Sequence, residues 1–310
     1  MFLMVLFSSI IYICIILYYR IYHKFWFNQP VDFIFTLETV PGKIKSLDYV
    51  HKYNRNFMCS LWKDKEDILN FLNENFNPEG ELYNYADYTF NSQSIVFKIQ
   101  NNNSKEVCGC ISVRPIKLTI NDEQKVIFYV DHLNVKEDYR GQGLATDLIS
   151  YIIDTLGDQT YLFKKDIHPL PFKYFCKYKY YLVLDQEKGN ILPDVSEYFE
   201  KIKNYKIYSP PDNTSIILKK DNYQAIIYYT NIMDKEDNPI YEIGYAENEY
   251  IAQLAINYIK YNFPESSIIV NSLSETDKYY KKKFLSENYL YFFNYRLPVI
   301  YPRDIFLVYP

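Results

Sequence analysis

Glycine is scarce in this chain, with 8 among 310 residues beside 14 prolines. That excludes a collagen-like repeat and a flexible low-complexity polymer, both of which need far more of it. Cysteine is sparse as well. Cys14, Cys59, Cys108, Cys110 and Cys176 are odd in number and scattered, so they spell no disulfide framework, and a reducing compartment fits them. Cys108 and Cys110 flank a single residue, which is not zinc-finger spacing, and four histidines are too few to complete a ligand set, so no metal is expected. Basic charge is not in excess either. The 34 Lys and Arg against 38 Asp and Glu give a formal charge of −4, which argues against binding nucleic acid by bulk electrostatics and leaves room only for local basic clusters.

What is present is ample apolar surface. With 48% hydrophobic and 23% charged residues the chain can offset the cost of ordering itself. Its length allows roughly two domains of ~100 to 200 residues. The 35 Tyr and 21 Phe, beside abundant Asn, Ile and Lys, look like AT-rich coding bias and carry no functional reading.

From Phe2 to Tyr19 no residue is charged, and nearly all are Ile, Leu, Phe, Val, Met or Tyr. A helix of roughly 20 such residues crosses the hydrocarbon core, with Tyr18, Tyr19, Tyr22 and Trp26 as interfacial aromatics. Arg20, His23 and Lys24 follow the run and no basic residue precedes it, which puts the remainder in the cytoplasm. The run ends in Tyr18-Tyr19-Arg20 rather than in small residues, so it reads as an uncleaved single-pass anchor; the alternative is a buried N-terminal helix.

Beyond it, apolar spacing predicts a helix over 63–74 and strands over 94–100, 107–120 and 126–135. A loop, Arg140-Gly141-Gln142-Gly143-Leu144-Ala145, follows, then a helix over 146–156 with Leu148, Ile149, Ile152 and Ile153 inward. Short strands are expected at 161–163 and 180–184, and the polar stretch 185–193 marks a boundary. The second unit reads as strands at 215–218 and 223–231, a helix over 249–261, strands at 268–270 and 289–295, and an apolar tail at 305–309. The organisation expected is an anchor at 1–21, a first domain at 22–195 and a second at 196–310.

The chemistry lies in the glycine loop. Two glycines between a strand and a helix let several backbone N–H groups face one concavity, and Arg140 adds positive charge, so a diphosphate fits on the helix N-terminus. The loop lacks both the Lys-Ser/Thr ending of a P-loop and the three-glycine dinucleotide spacing, which argues against ATP and NAD.

The string His132-Leu133-Asn134-Val135 followed by RGQGLA resembles the acyl-CoA site of the GNAT superfamily of N-acyltransferases. A closer resemblance covers nearly all of the chain after the anchor. His23-Lys24-Phe25-Trp26-Phe27-Asn28-Gln29-Pro30-Val31 is similar to the opening of the N-myristoyltransferase catalytic core. Leu72 to Phe76, Gly109-Cys110-Ile111-Ser112, Lys281 to Tyr295 and the ending Phe306-Leu307-Val308-Tyr309-Pro310 continue it in order.

The resemblance implies a GNAT-like α/β (α+β) fold, a mixed central sheet flanked by helices, with a second, smaller and shortened GNAT-like half. It implies acyl-CoA as co-substrate, myristoyl-CoA or acetyl-CoA, and a peptide or protein N-terminus as acceptor. The backbone N–H groups of His132 and Leu133 would polarise the thioester carbonyl. Arg140, Gly141, Gln142, Gly143, Leu144 and Ala145 would hold the CoA phosphates, Leu133 and Val135 would line the cofactor, and Lys24, Phe25 and Trp26 would cover it. The terminal carboxylate of Pro310 would take the amine proton, ranked above the His132 imidazole. His168 reads as a loop residue and Cys176 as packing.

Departures from the family's pattern shape the expectation. RGQGLA is closer to small-acyl GNAT enzymes, and Pro171 stands where the family has a hydroxyl residue. The expected function is a membrane-anchored N-acyltransferase passing an acyl group to an N-terminal glycine amine by direct attack. The alternatives are an acetyltransferase acting on an unknown amine and a catalytically inactive membrane scaffold.

Overall fold

Alternating apolar residues from both halves of the chain fall into one sheet of 15 strands in the computed structural model. The structure describes residues 2–34, 36, 40–44, 50–75, 84–85, 93–120, 123–166, 168–184, 194–195, 205–208, 215–220, 223–234, 236, 238–301 and 305–308. The expected mixed α/β architecture is present, and the expected membrane span is not. The N-terminal run does form a helix, α1 (Phe2–Tyr22), yet among the described residues no helix is long and apolar enough to cross a membrane. Arg20 places a charge in its last turn. The single-pass, cytoplasm-facing placement fails with the span it rested on. The end of α1 meets the rest of the fold where Tyr19 packs edge-on against Phe33 at 5.8 Å.

A four-residue helix, α2 (Lys24–Phe27), follows, and Gln29, Val31 and Asp32 are buried just after it. Asn294 N–H donates to Pro30 O, and Lys173 N–H donates to Asp32 O, so this segment is knitted to later parts of the chain. Strand β1 (Phe57–Trp62) then leads into α3 (Lys65–Asn75), which buries Ile68, Leu69, Phe71 and Leu72 against Trp62, Val96 and Cys110. The helix starts at Lys65 because the Asp64 carboxylate accepts from Asp67 N–H, closing its first turn.

The meander runs through β2 (Ile95–Asn101), β3 (Val107–Ile120) and β4 (Glu123–Val135), antiparallel throughout. The crossover helix α4 (Leu144–Leu156) buries Leu144, Leu148, Ile149 and Ile152, one stripe at helical spacing. Each such side chain contributes ~1.5 to 3 kcal/mol on burial. The chain returns as β5 (Tyr161–Asp166), parallel to β4, and then β6 (Cys176–Val183). Strand β6 begins earlier than expected because exposed Lys177 and Lys179 alternate with buried Cys176 and Tyr178, a two-residue period that an apolar run does not reveal.

The C-terminal half repeats the strand, helix, parallel strand unit. Strands β7 (Ser215–Lys220), β8 (Tyr223–Met233) and β9 (Pro239–Ala246) precede α5 (Glu249–Asn262), and β10 (Ser267–Asn271) returns parallel to β9. The last long strand, β11 (Lys282–Phe293), inserts between β5 and β6, antiparallel to both. The order across the centre is therefore β3-β4-β5-β11-β6-β10-β9-β8-β7. Helix α4 covers one face around Val130, Phe163 and Tyr291; Tyr129, Leu162, Phe175 and Phe292 pack on the other. Helix α5 packs on Tyr241, Ile243, Ile268 and Val270. Residues 305–308 pair in parallel with 205–208, which pair with the far end of β3.

Candidate active site

Strands β4 and β5 stay paired only from Phe128↔Tyr161 to Val130↔Phe163. Past that rung β4 remains with β3, with Ser112 opposite Asp131 and Gly109 opposite Val135. Strand β5 instead stays with β11, with Leu290 opposite Lys164 and Asn288 opposite Asp166. Two parallel neighbours held by different partners must open into a wedge, and the wedge lies in the middle of the sheet.

One lip of the wedge is irregular. The β3–β4 register slips between Cys110 and Ser112, so His132 and Leu133 have no partner in it, and His132 adopts φ 52°. A β-bulge of this kind re-aims backbone and side chain together. A left-handed conformation in a residue other than glycine costs roughly 1 to 2 kcal/mol, and such strain collects at functional sites. Three contacts hold it. The Asp131 carboxylate accepts from its neighbour's N–H, His132 N, at 2.9 Å. Ser112 Oγ shares a hydrogen bond with His132 Nδ1 at 2.7 Å. Cys110 Sγ lies 3.5 Å from His132 O as its donor.

The electrostatics follow from burial and neighbours. Burial lowers the affinity of His132 for a proton, Asp131 opposes that, and the positive charges of Arg114 and Lys164 add to it, so the imidazole titrates below its ordinary range. Burial pushes the Asp131 carboxyl up, but His132, Lys164 and Arg114 together bring it below the usual value. Asp131, His132 and Leu133 are all partly exposed, so solvent reaches this lip.

The loop beyond is open. Lys136 N–H donates to Cys108 O, and Tyr139 OH donates to Glu106, which tethers the turn that launches it. Gly141 and Gly143 sit at φ 77° and 82°, the left-handed region that side chains other than glycine rarely adopt. A Cβ on Gly141 would meet nothing within 4 Å, and one on Gly143 only Thr146 Oγ1 at 3.6 Å. Residues 140–143 are exposed, and no side chain caps the α4 N-terminus at Gly143. The 13-residue helix thus presents uncapped N–H groups and the positive end of its dipole to solvent, with Arg140 Nε donating to Val135 O at 3.2 Å just before the loop. The residues present fit the CoA end of the co-substrate.

Trp26 packs 4.9 Å from Phe172 and 6.5 Å from Phe163, the last β5 residue paired with β4. Phe25 meets Trp26 and, at 6.0 Å, His51. Lys24 is exposed on α2. Leu133, Val135 and Leu144 belong to the same packed cluster. Leu144 is buried and Ala145 half-buried in the first turn of α4. Cys176 is buried, and its burial pushes the thiol up to about 12. His168 is exposed in its loop. Pro310 lies outside the described residues, and among the described residues no group of three or more His, Cys, Asp or Glu is placed to hold a metal.

Five residues escape a reading of the sequence. Ser112 reaches His132 only because the bulge swings the ring toward β3. Lys164 faces the bulge only because β5 parts from β4. The His51 and Asp147 side chains pair at 2.6 Å across 96 positions. Glu242, buried on β9, is bonded by Asn271 of β10 and Tyr180 of β6. Only Ser112 carried any signal, as part of the Gly109-to-Ser112 string, and that string gave it no role.

Residues 58–166 match the acetyltransferase (GNAT) family, a stretch running from β1 to the last residue of β5. No curated protein matches the chain. Among solved structures the chain is similar to Saccharomyces cerevisiae N-myristoyltransferase with bound myristoyl-CoA. One comparison gives a TM-score of 0.65 and 14% identity over 90% of this chain and 94% of the yeast chain. A second gives 0.68 and 13% over 90% of each. The same yeast enzyme with bound myristoyl-CoA and inhibitors gives 0.66 and 13%, over 91% of this chain and 92% of that one. At such identities the likeness establishes the fold alone, with a GNAT domain over residues 58–166.

Proposed function

We propose that the protein is an acyl-CoA-dependent N-acyltransferase that passes a myristoyl group to the N-terminal amine of a glycine-initiated peptide or protein. The observation that carries this reading is the parting of β4 from β5 after Val130 and Phe163, with the bulge on one lip and the open glycine loop directly beyond it. Support comes also from the GNAT match, which ends where that wedge ends, and from the likeness to an enzyme solved with myristoyl-CoA.

In this reading Arg140, Gly141, Gln142 and Gly143, with the first N–H groups of α4 at Leu144 and Ala145, receive the CoA diphosphate. Leu133 and Val135 line the pantetheine path, and Lys24, Phe25 and Trp26 close over it. The N–H groups of His132 and Leu133 face the thioester oxygen; each such donor is worth about 3 to 4 kcal/mol once charge develops. In the free protein Asp131 already accepts from His132 N–H, so the oxyanion must displace or share that carboxylate. Transfer is direct, through one tetrahedral intermediate, because burial keeps the Cys110 and Cys176 thiols protonated and unsuited to hold an acyl group. An N-terminal amine has pKa ~7.7 to 8.0, so it arrives largely as ammonium and needs a proton acceptor. The resemblance gives that task to the terminal carboxylate of Pro310.

A second reading, acetyl transfer, is favoured by the family matched over residues 58–166 and by the two-glycine RGQGLA loop. Thiol release by the purified chain with myristoyl-CoA or acetyl-CoA and a glycine-initiated peptide separates the two. Use of acetyl-CoA without myristoyl-CoA leaves acetyl transfer; release with neither removes acyl transfer to a glycine amine.

A further inference from the structure

Strand β1 lies outermost beside β2, and its register determines which of its backbone groups the sheet leaves over. Among the described residues it pairs with β2 alone, from Phe57↔Asn101 to Trp62↔Val96 without a slip. One rung earlier Asn102 N–H donates to Asn56 O, so the even-numbered residues are the ones that exchange hydrogen bonds with β2. The N–H and C=O groups of the odd-numbered residues point away from it. Phe57 N–H is taken by Asn54 O, which leaves Cys59 and Leu61 as the two residues that present both groups at the outer edge.

We propose that this edge joins two copies of the chain, with β1 antiparallel to β1 of the second copy and Ser60 on the two-fold axis. The register follows from the groups at the edge. With Ser60 on the axis, Cys59 faces Leu61 of the second copy and Leu61 faces its Cys59, and each pair exchanges two bonds. All the N–H and C=O groups of both residue pairs are then used. With Cys59 on the axis, Leu61 C=O would face the N–H of Phe57, which Asn54 O already holds.

The side chains match in the same register, because directly opposed residues share a face of the sheet. Trp62 packs with α3 and Cys59 with the cluster around α4, so the even-numbered residues lie on one face and the odd-numbered on the other. Met58, 47% exposed, meets Trp62 of the second copy, a contact of sulfur with an aromatic ring. Leu61, 46% exposed, covers its Cys59. Nothing in Phe57-Met58-Cys59-Ser60-Leu61-Trp62 opposes pairing, for the strand has no charge, no proline and no bulge, the devices that keep edges apart. Charge is confined to its ends. Arg55 precedes the strand and Asp64 follows it, both exposed, and the antiparallel arrangement brings each toward its opposite in the second copy. A match at both ends at once is what identifies the occupant as this same chain. Pairing of one short strand makes a small interface, under about 1,200 Å², so assembly should depend on concentration.

The test uses the full chain carrying Cys14→Ser, which removes the exposed thiol. Ser60→Cys sets two thiols across the axis in a pair whose Cα atoms stand ~4.5 Å apart, within reach of a disulfide. Under mild oxidation it should run at twice 37.3 kDa without reductant and at 37.3 kDa with it. Asn70→Cys, exposed on α3, is the control and should remain a single chain. Adding Leu61→Lys to Ser60→Cys should lower the cross-linked yield at least about tenfold, and Leu61→Lys alone should lower the mass seen by light scattering from two chains to one. Its thermal melt should match that of the unaltered chain; if it does not, Met58→Lys on the other face replaces it with the same two readings. Equal cross-linking at positions 60 and 70 overturns the proposal, and so does a yield that neither lysine reduces. Association without cross-linking at position 60 overturns it as well, assigning the contact to the exposed apolar side chains of α1.

Discussion

His51 Nε2 donates to Asp147 Oδ1 at 2.6 Å, pinning the strap before β1 to the first turn of α4. Asp147 is 3% exposed, and its other oxygen accepts from Asn54 N–H at 3.1 Å, so the carboxylate is held on both sides beneath the glycine loop. Asn54 also approaches Gln142 O, which extends the strap onto the loop itself. His51→Ala leaves half of a buried carboxylate without its donor. The expected cost is ~1 to 3 kcal/mol of folding stability in urea denaturation. An uncompensated negative charge under a diphosphate receptor should also weaken CoA binding in calorimetry by about tenfold, or ~1.4 kcal/mol. Unchanged CoA affinity would separate the strap from the loop's function.

Gly143 combines φ 82° with open space around its missing Cβ, so a side chain there disturbs the backbone and fills the receptor rather than the core. Gly143→Glu places a bulky anion where the diphosphate would sit. The acyl-CoA thermal shift should vanish, while the left-handed backbone costs roughly 1 to 2 kcal/mol of stability. A retained shift would mean that CoA binds elsewhere.

Leu148 is fully buried on the inward stripe of α4, against the sheet face that carries the wedge. Leu148→Ala should cost ~2 to 5 kcal/mol, read as a lower urea midpoint with an unchanged slope. A cost below 1 kcal/mol would indicate that the α4 interface is loosely packed.

Much of this was legible in the sequence where one element answers to its own residues. The α4 stripe of Leu148, Ile149 and Ile152 and the β3–β4 meander follow from local period, and the glycine loop follows from two glycines, the residue type that tolerates positive φ. What lay hidden depends on partners far along the chain. Strand β11 begins with Lys282-Lys283-Phe284, a polar start that forms a strand because β6 pairs with it. The bulge at His132 is a register slip between two strands, and no residue type announces it. The N-terminal run does form the helix that its apolar residues suggest, yet among the described residues no helix is long and apolar enough to cross a membrane.

Glu242 is buried on β9, where Asn271 donates to one carboxylate oxygen and Tyr180 OH to the other at 3.4 Å. Burial outweighs both bonds and the nearby charge of Lys164, lifting its pKa from 4.5 to about 7. The sign is fixed by which state holds the proton. Between about pH 4.5 and about pH 7 the unfolded chain has lost it and the folded chain keeps it, so folding binds a proton and stability falls as pH rises through that window. At 1.36 kcal/mol per pKa unit the loss approaches about 3 kcal/mol by pH 8. Glu242→Gln keeps an acceptor for Asn271 and carries no charge to desolvate. Urea denaturation at about pH 5 and about pH 8 should show the variant gaining on the unaltered chain at the higher pH by about 3 kcal/mol. A difference that does not change with pH would mean that Glu242 is ionised in the folded protein, with Lys164 and the two donors outweighing its burial.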